Sequence, residues 1–260
     1  MSDTLITKTK NQVAHITLNR PKAFNSFNRE MALAFQDALK NAAEDDAIRA
    51  ILITGNGKAF SAGQDLKEVT DEKNNPGFKT ILQEHYNHII RLIRNTKLPI
   101  IAAVNGVAAG AGANIALACD VVLASEKASF IQAFSGIGLV PDSGGTFFLP
   151  RLIGFQKASA IAMLGDKISA EEAERMGMIY KHYSADELEE KSLQLAEKMA
   201  QMPTKALAQT KALFNQSLHN DLDTQLDLEG EYQIEAAQSH DYKEGVAAFV
   251  EKRKPNFKGE

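Results

Sequence analysis

The amino-acid sequence predicts an α/β fold in which mostly parallel strands stack and helices cover them. Short apolar segments typical of strands alternate with longer segments whose apolar residues have helical spacing. This alternation is typical of crossover units, in which a helix connects neighbouring parallel strands. Beyond Ala185 the strand patterns end and only helical patterns follow.

Each element follows from its local pattern. The predicted strands are VAHITLN (13–19), IRAILITG (48–55), IIAAVNG (100–106) and VVLAS (121–125). The predicted helices are MALAFQDALKNAAED (31–45), ILQEHYNHIIRLIRNT (81–96) and a segment from about Gly112. A polar loop around Asn74, Asn75, Pro76 and Gly77 separates the second strand from the second helix.

The end of the chain is organised differently from its beginning. Helical patterns cover 185–202, 204–218 and 221–238, so we divide the chain into a core of residues 1–195 and a helical region of residues 196–260. The charged stretch DELEE (186–190) is interpreted as a solvated face near a helix N-terminus. The basic end VEKRKPNFKGE has two interpretations, a frayed tail or a contact with a phosphate or a partner.

The composition argues against several classes of protein. Among 260 residues, 29 Lys and Arg face 33 Asp and Glu, and the net charge of −4 gives no indication of a nucleic-acid partner. The single cysteine, Cys119, excludes an intrachain disulfide and is predicted to be a small buried apolar residue. Since the N-terminus also lacks the apolar core of a signal peptide, we expect a cytoplasmic protein.

One uncharged segment has the length of a membrane span. Residues 98–119 contain no charged side chain, but they include Pro99, Gly106 and Gly110 and are rich in alanine rather than leucine. We interpret the segment as a buried strand, a glycine turn and a buried helix. No membrane association is expected.

The segment Pro141-Asp142-Ser143-Gly144-Gly145 resembles the motif around the nucleophilic serine of trypsin-like peptidases. In that motif, the residue two positions before the serine supplies an oxyanion-hole N–H. This chain has Pro141 there, which has no N–H to donate, and its histidines lie in no recognisable peptidase context. A nucleophilic role for Ser143 is therefore rejected.

Asp142 has two interpretations. The segment leads into the pattern FFLPRLIG, so Asp142 or Ser143 is suited to cap a helix. Its neighbours Pro141 and Phe148 are apolar, however, and partial desolvation would raise the pKa of its carboxyl while a helix N-terminus would lower it. The residues alone do not decide between a cap and a proton shuttle.

Four separated stretches resemble the crotonase superfamily of enoyl-CoA hydratases and isomerases. They are NRPKAFNSFN (19–28), AFSAGQDLKE (59–68), AAVNGVAAGAGANIALACD (102–120) and FSGIGLVPDSGGTFFLPRLIG (134–154). The resemblance implies a spiral of strand-strand-helix turns with a helical C-terminal region that builds a homotrimer or a dimer of trimers. It also implies an acyl-CoA thioester substrate whose oxygen binds two backbone N–H groups.

The resemblance assigns roles to individual positions. The N–H groups of Gln64 and Ala111 would form the oxyanion hole, with Gly112 beside them. Coenzyme A would lie along Lys22, Ala23, Ala62, Asp65 and Leu66, and Lys252 and Phe257 of the tail would help to close its site. The positions of Asn114, Phe134 and Pro141 would face the substrate. No metal ion is implied, and coenzyme A enters as part of the substrate rather than as a cofactor; GAGANI lacks the third glycine of a dinucleotide fingerprint.

Two departures from the family pattern indicate the reaction. Hydratases of the family have glutamates where this chain has Asn114 and Phe134, and neither amide nor phenyl ring acts as an acid or base. Asp142 remains as the single carboxylate, at the position of the family's isomerases. The surrounding sequence is most similar to the phenylacetate-pathway isomerases that convert ring-1,2-epoxyphenylacetyl-CoA to oxepin-CoA.

Several alternatives stay open. The same residues with another acyl pocket would suit a Δ3-Δ2-enoyl-CoA isomerase of fatty-acid oxidation. A dehalogenase-type relative ranks low, because its chemistry needs a nearby tryptophan and the chain has none. A protein of the same fold that binds acyl-CoA or RNA without catalysis is an alternative of another class.

Overall fold

The computed structural model describes residues 3–71, 73 and 75–260. Within them, ten strands form two sheets. Their bounds are β1 (Leu5–Lys10), β2 (Val13–Leu18), β3 (Ala50–Gly55), β4 (Ala59–Ser61), β5 (Ile100–Val104), β6 (Val107–Ala109), β7 (Val121–Ser125), β8 (Ser129–Ile131), β9 (Lys167–Ser169) and β10 (Lys181–Tyr183). The larger sheet has the order β1-β2-β3-β5-β7-β10 and the smaller one β4-β6-β8-β9.

Helices fill the connections and form the C-terminal part of the described chain. They are α1 (Arg29–Glu44), α2 (Leu66–Thr70), α3 (Phe78–Thr80), α4 (Asn87–Asn95), α5 (Ala111–Leu117), α6 (Gly145–Ile153), α7 (Phe155–Leu164), α8 (Ala170–Arg175), α9 (Leu188–Ala200), α10 (Thr204–Ser217), α11 (Leu222–Ala237) and α12 (His240–Glu251). A π-helical segment, Ile81–Tyr86, joins α3 to α4.

Successive turns of the chain add one strand to each sheet. β3, β5 and β7 pair in parallel in the larger sheet, and β4, β6 and β8, which follow them, pair in parallel in the smaller sheet. Helices close each turn. This is the spiral of strand-strand-helix turns that the resemblance implied, and the predicted α/β class is confirmed.

The corner between β5 and β6 requires a residue without a side chain. A Cβ atom added to Gly106 would lie 2.1 Å from the carbonyl oxygen of Lys58 in the preceding turn. Backbone therefore packs directly on backbone where one turn lies over the next. Glycine allows this close approach.

The main core lies between the sheets and the inner faces of α1, α4 and α5. Its fully buried large side chains include Phe27, Phe35, Phe60, Tyr86 and Ile89. Burying a side chain of this size contributes about 1.5–3 kcal/mol to stability. Cys119 is buried in the same cluster, as predicted, and burial raises the pKa of its thiol to about 12.

A second cluster lies on the other face of the larger sheet. Leu188, Ala196 and Ala200 of α9 pack there with strand residues such as Leu52 and Ile101. The division drawn between residues 195 and 196 thus falls inside a helix that covers the sheet. The helices with few buried residues begin only with α10.

The four predicted strands agree with β2, β3, β5 and β7 to within two residues, whereas the other six described strands were not predicted. Residues 98–119 form the predicted strand, glycine turn and helix, but the short strand β6 lies between the turn and the helix. None of the described helices combines the length and the apolar character of a membrane span. The stretch predicted as one helix over 81–96 starts with a π-helical segment instead. Of the predicted polar loop, Asn74 lies outside the described residues. Glu189 and Glu190 are exposed in the first turn of α9, as expected for DELEE.

The basic end of the chain is docked, so the interpretation as a frayed tail is wrong. The buried guanidinium of Arg49 donates hydrogen bonds to the carbonyl oxygens of Phe257 (2.7 Å) and Met202 (2.6 Å). The buried carboxylate of Asp241 accepts from the backbone N–H groups of Lys258 and Gly259, both at 2.7 Å. Two buried charged side chains thus fix the tail over the start of β3.

A buried ionic cluster attaches α10 to the core. The carboxylate of Asp120 accepts from Lys211 (2.8 Å) and Arg94 (3.0 Å), and it also accepts from the backbone N–H of Ile100 (2.9 Å). Desolvation lowers the pKa of the Lys211 ammonium, and the adjacent Asp120 carboxylate partly offsets this. The cluster joins α10, α4 and the start of β5.

We expect Arg49→Met to lower the free energy of unfolding by about 2–4 kcal/mol, because two partly buried carbonyl oxygens lose a charged donor. Urea denaturation at fixed protein concentration measures the change. Arg175→Met is the control: Arg175 is exposed and its ion pair with Glu172 is 3.6 Å long, so we expect a change within about 0.5 kcal/mol. Equal effects of the two substitutions would contradict a stabilising role for Arg49.

Candidate functional site

The carboxyl ends of β4, β6 and β8 meet at one edge of the smaller sheet. Their parallel pairing brings the residues after Ser61, Ala109 and Ile131 together at this edge. These three connections contain most of the residues singled out in the sequence. The arrangement of the strands therefore creates the candidate site.

A loop before α1 lies against the connection that follows β4. The N–H of Ala62 donates to Phe24 (2.9 Å), and Phe27 exchanges backbone hydrogen bonds with Gly63 (2.6 Å) and Asp65 (2.8 Å). Lys22 and Ala23 belong to this loop, whose hydrogen bonds place it next to the segment 62–66. Lys22, Ala62 and Leu66 are exposed there.

The carboxylate of Asp65 serves to hold this loop in place. It pairs with the guanidinium of Arg20 at 2.8 Å and caps α2 by accepting from the N–H of Lys67 at 3.0 Å. Both carboxylate oxygens are thus engaged within the protein. A ligand at Asp65 would meet its main chain rather than its charge.

The connections after β4 and β6 approach each other more closely than side chains would allow. Gly63 has a φ of +85°, and a Cβ atom there would lie 2.8 Å from the carbonyl oxygen of Ala109 and 3.2 Å from the nitrogen of Ala111. Standard bond lengths then place the nitrogens of Gln64 and Ala111 at most about 7 Å apart. Gly112 serves the same packing, because a Cβ there would lie 2.4 Å from the carbonyl oxygen of Ser61.

The N–H groups of Gln64 and Ala111 face this contact. The bridge between Phe27 and Gln64 uses the carbonyl of Gly63 and the N–H of Asp65, so the N–H of Gln64 points to the opposite side, toward the chain after β6. Ala111 is the first residue of α5, where helical N–H groups have no partner in their own helix. The two backbone donors expected from the sequence thus lie at one contact between successive turns.

Asn114 holds the main chain at Asp142. Its Nδ2 donates to the carbonyl oxygen of Asp142 at 2.8 Å, and its Oδ1 accepts from Nε2 of Gln132 at 2.8 Å. Asn114 is 1% exposed, and a Cβ on Gly145 would lie 2.4 Å from its amide nitrogen. The side chain predicted to contact substrate is thus enclosed and bonded at both ends.

The carboxyl of Asp142 does not cap α6. The helix begins at Gly145 with Gly144 as its N-cap and no side-chain capping bond, and Asp142 contributes only its backbone carbonyl, to the N–H of Gly145 at 2.8 Å. The capping interpretation is wrong for the side chain. Its Oδ1 accepts instead from the hydroxyl of Ser143 at 2.8 Å.

Burial determines the direction of the pKa shift at Asp142. Desolvation raises the pKa of the carboxyl, and the hydrogen bond from Ser143 partly offsets this. Ser143 is 2% exposed and has a φ of +51°, an unfavourable conformation for a residue with a side chain. The backbone is therefore strained at Ser143, the residue whose hydroxyl donates to the Asp142 carboxylate.

Apolar surfaces surround the loop. Phe134 is buried, with its ring tip 3.7 Å from the position of a Cβ on Gly110, so it borders the turn between β6 and α5. Pro141 lines a cavity of about 370 Å³. The other walls of this cavity include Leu139, Val140, Leu149, Phe155 and Met163. An apolar acyl group would find suitable surroundings here.

Tyr86 belongs to the site but was missed in the sequence. It is 1% exposed, and its hydroxyl donates to Oε1 of Gln64 at 2.9 Å. The carboxylate of Asp142 contributes to raising the pKa of the phenol, behind the larger effect of burial. The helical pattern over 81–96 gave no signal for this role, because the π-helical segment changes the direction of its last side chains.

Lys252 and Phe257 are not brought to the site within one chain. The carbonyl of Phe257 binds Arg49 before β3, whereas the site lies beyond the other end of that strand. Six residues of strand span about 20 Å. Among residues 3–71, 73 and 75–260, no group of three or more His, Cys, Asp or Glu side chains is placed to hold a metal ion.

We expect Ser143→Ala to raise the pKa of Asp142 further, because the carboxylate loses its hydrogen-bond donor. Carboxyl ¹³C NMR of labelled aspartate, assigned with Asp142→Asn, measures the titration. Ser143→Gly also removes the hydroxyl but relieves the positive φ, so it should shift the pKa in the same direction. An unchanged or lowered pKa in both variants would contradict the role of the hydroxyl.

Comparison with known proteins agrees with this geometry. A family model described as enoyl-CoA hydratase/isomerase matches residues 8–260. The chain is 43% identical over 261 residues to the 1,2-epoxyphenylacetyl-CoA isomerase of Escherichia coli K12, with 100% of both chains covered. It is 45% identical over 247 residues to a protein of Rhodobacter capsulatus named probable enoyl-CoA hydratase, with 95% of each covered.

Solved structures show the same fold. A crystal structure of an enoyl-CoA hydratase from Bacillus anthracis superposes with a TM-score of 0.92 at 33% identity, covering 99% of this chain and 100% of that one. The match extends from the sheets through the C-terminal helices. The chain is therefore a member of the enoyl-CoA hydratase/isomerase family, the crotonase superfamily.

Proposed function

We propose that the protein is an acyl-CoA isomerase that uses Asp142 to move a proton within a bound thioester. The observation that carries this proposal is the desolvated carboxyl of Asp142, whose main chain is bonded to Asn114 of the helix that begins at Ala111. Asn114 and Phe134 occupy the positions where hydratases of the family have glutamates. The amide of Asn114 is already bonded to Gln132 and Asp142, which argues against a role in activating water.

The proposed reaction needs one group to act first as base and then as acid. The Asp142 carboxylate removes a proton from a carbon of the acyl group, and the electron pair moves into the thioester carbonyl. The N–H groups of Gln64 and Ala111 stabilise the resulting oxyanion. Protonated Asp142 then returns the proton two carbons away, so that no atom is gained or lost. A raised pKa brings the carboxyl closer to neutral pH, where both steps are effective.

Two substrate classes fit these residues. The full-length similarity to 1,2-epoxyphenylacetyl-CoA isomerase favours that activity, which would form oxepin-CoA in aerobic phenylacetate degradation. In that reaction the ring bond between the two epoxide carbons opens to give the seven-membered ring, and the proton shift from the α carbon to a ring carbon completes the isomerisation without gain or loss of atoms. The buried ring of Phe134 beside Gly110 and the half-buried ring of Phe148 against Gly144 suit a cyclic acyl group. The apolar cavity at Pro141 favours the second candidate, a Δ3-Δ2-enoyl-CoA isomerase acting on straight chains.

A homotrimer or a dimer of trimers is proposed as the functional assembly. In the isolated chain α11 has no buried side chain, and its apolar residues Leu222 and Ile234 are 71% and 65% exposed. On α12, Phe249 is 85% exposed. A second copy covering these helices would remove the apolar area from water. It would also allow Lys252 and Phe257 to approach the coenzyme A site of a neighbouring copy.

Sedimentation equilibrium should therefore give three or six times the chain mass of 28.4 kDa. The apolar surface of α11 and α12 is the physical reason for association. A monomer at micromolar concentration would contradict the proposed assembly and would leave these side chains in water.

We expect Asp142→Asn to lower kcat about 10²–10⁴-fold, because the amide cannot accept and return the proton. Turnover of ring-1,2-epoxyphenylacetyl-CoA and of 3-hexenoyl-CoA is measured for the parent protein and for Asp142→Asn, together with the Kd of each ester. The ester Kd values should change little, since the substitution keeps the size of the side chain.

The outcomes separate the candidates. Preferred formation of oxepin-CoA, lost in Asp142→Asn, supports the phenylacetate activity, whereas preference for 3-hexenoyl-CoA supports the fatty-acid activity. If the parent protein binds both esters and converts neither, a binding protein of the same fold becomes the better explanation. Retained turnover in Asp142→Asn would contradict the assigned role of Asp142.

A further inference from the structure

Tyr86 ends the π-helical segment and is enclosed by aromatic side chains. Its ring meets Phe27 edge to face with 6.1 Å between centroids, and Phe27 meets Phe35 in the same way at 5.8 Å. The phenol hydroxyl forms a hydrogen bond with one described partner, Oε1 of Gln64, at 2.9 Å. A buried polar group of this kind is held by both its packing and its partner.

The side chain of Gln64 is bonded at both of its polar atoms. Oε1 accepts from Tyr86, and Nε2 donates to Oε2 of Glu68 at 2.9 Å. Glu68 is fixed in turn, because its Oε1 accepts from the backbone N–H of Arg29 at 2.8 Å. A phenol can only donate to the amide oxygen and a carboxylate can only accept from the amide nitrogen, so the two partners determine the orientation of the amide.

The peptide groups before and after Gln64 are both hydrogen-bonded to the backbone of Phe27. Gly63 and Asp65 thereby bond Phe27, the residue whose ring packs on Tyr86. Tyr86 thus contacts the oxyanion loop twice, through the amide of Gln64 and through the ring of Phe27. The bond from the Phe27 N–H to the Gly63 carbonyl sets the orientation of the peptide unit that carries the Gln64 N–H. The held side chain fixes the Cα of Gln64, to which that peptide unit is attached.

We propose that Tyr86 is a positioning residue for the thioester oxygen: its hydroxyl holds the Gln64 side chain, its ring supports Phe27, and together these contacts fix the position of the Gln64 backbone N–H. The inference rests on the proposed function, because that N–H is one of the two donors to the oxyanion. Stabilisation of an oxyanion depends on donors that are oriented before the reaction. Tyr86 contributes to the placement of the Gln64 N–H without touching the substrate.

The charges around Tyr86 are compatible with this role over a wide pH range. Burial is the main cause that raises the pKa of the phenol, and the carboxylates of Asp142, Glu68 and Asp65 raise it further. The hydroxyl therefore remains a donor while Asp142 titrates. Any pH dependence of turnover should come from Asp142 and not from loss of the Tyr86 hydrogen bond.

The decisive variant is Tyr86→Phe, which keeps the ring and removes the hydroxyl. We expect kcat to fall roughly 3- to 10-fold, as for the loss of one buried hydrogen bond, with the Kd of coenzyme A esters unchanged. Gln64→Ala keeps the backbone N–H but removes the held side chain, and it should have a similar effect. Tyr180→Phe is the matched control, because Tyr180 is 67% exposed.

A spectroscopic measurement distinguishes positioning from general stability. Phenylacetyl-CoA labelled with ¹³C at the thioester carbonyl has no bond to isomerise, and isotope-edited infrared spectra report the polarisation of that carbonyl. In the parent protein and in Tyr180→Phe, the bound carbonyl stretch should lie below that of the free ester. In Tyr86→Phe and Gln64→Ala, it should move back toward the free value.

The double variant Tyr86→Phe/Gln64→Ala tests the route of the effect. If Tyr86 acts through Gln64, the double variant loses no more than either single variant. Additive losses in kcat, or an unchanged carbonyl stretch in Tyr86→Phe, would overturn the proposal. If the parent shifts the carbonyl stretch but converts no ester, the isomerase proposal fails while the stretch still decides the role of Tyr86.

Discussion

Direct packing of backbone on backbone between successive turns of the spiral is the constraint on which the rest of the structure depends. At Gly106, a turn lies too close to the carbonyl of Lys58 for any side chain. The same close approach recurs at Gly63, where the connection after β4 meets the one after β6. Because the turns touch in this way, the backbone nitrogens of Gln64 and Ala111, which belong to different turns, lie at most about 7 Å apart. The oxyanion hole proposed for these two N–H groups would therefore be a product of the pitch of the spiral.

Asn114 shows how a position that carries an acid in hydratases of the family can instead support the loop at Asp142. Where hydratases of the family have a glutamate, the Asn114 amide is enclosed and holds the carbonyl of Asp142. The side chain of Asp142 is then free to lie beside Ser143 in a desolvated environment. The amide of Asn114 thus carries no proton itself and supports the main chain of Asp142, the residue proposed to carry one. The positive φ of Ser143 is the local cost of this arrangement.

Local patterns predicted β3, β5 and β7 well because these strands are buried and carry nearly continuous apolar sequence. The strands of the smaller sheet were not predicted, because each has only three residues. The motifs around Gly63, Gly110 and Asp142 follow these short strands, so the sequence named them without showing the sheet that positions them. Tyr86 was not found, since its role depends on a π-helical segment that apolar spacing does not distinguish from an α-helix. The docked tail was missed for a related reason. Its partners Arg49 and Asp241 are distant in sequence, and a basic stretch alone resembles a solvated end.

The contact between Arg49 and Phe257 has a consequence for the kinetics of folding. The two residues are 208 positions apart, and closing a loop of that length costs about 5 kcal/mol of chain entropy. Such a contact is expected to form late, after the spiral has already brought its partners together. Interactions absent from the transition state slow unfolding without accelerating folding. Docking of the tail thus extends the lifetime of the native state rather than helping the chain to reach it.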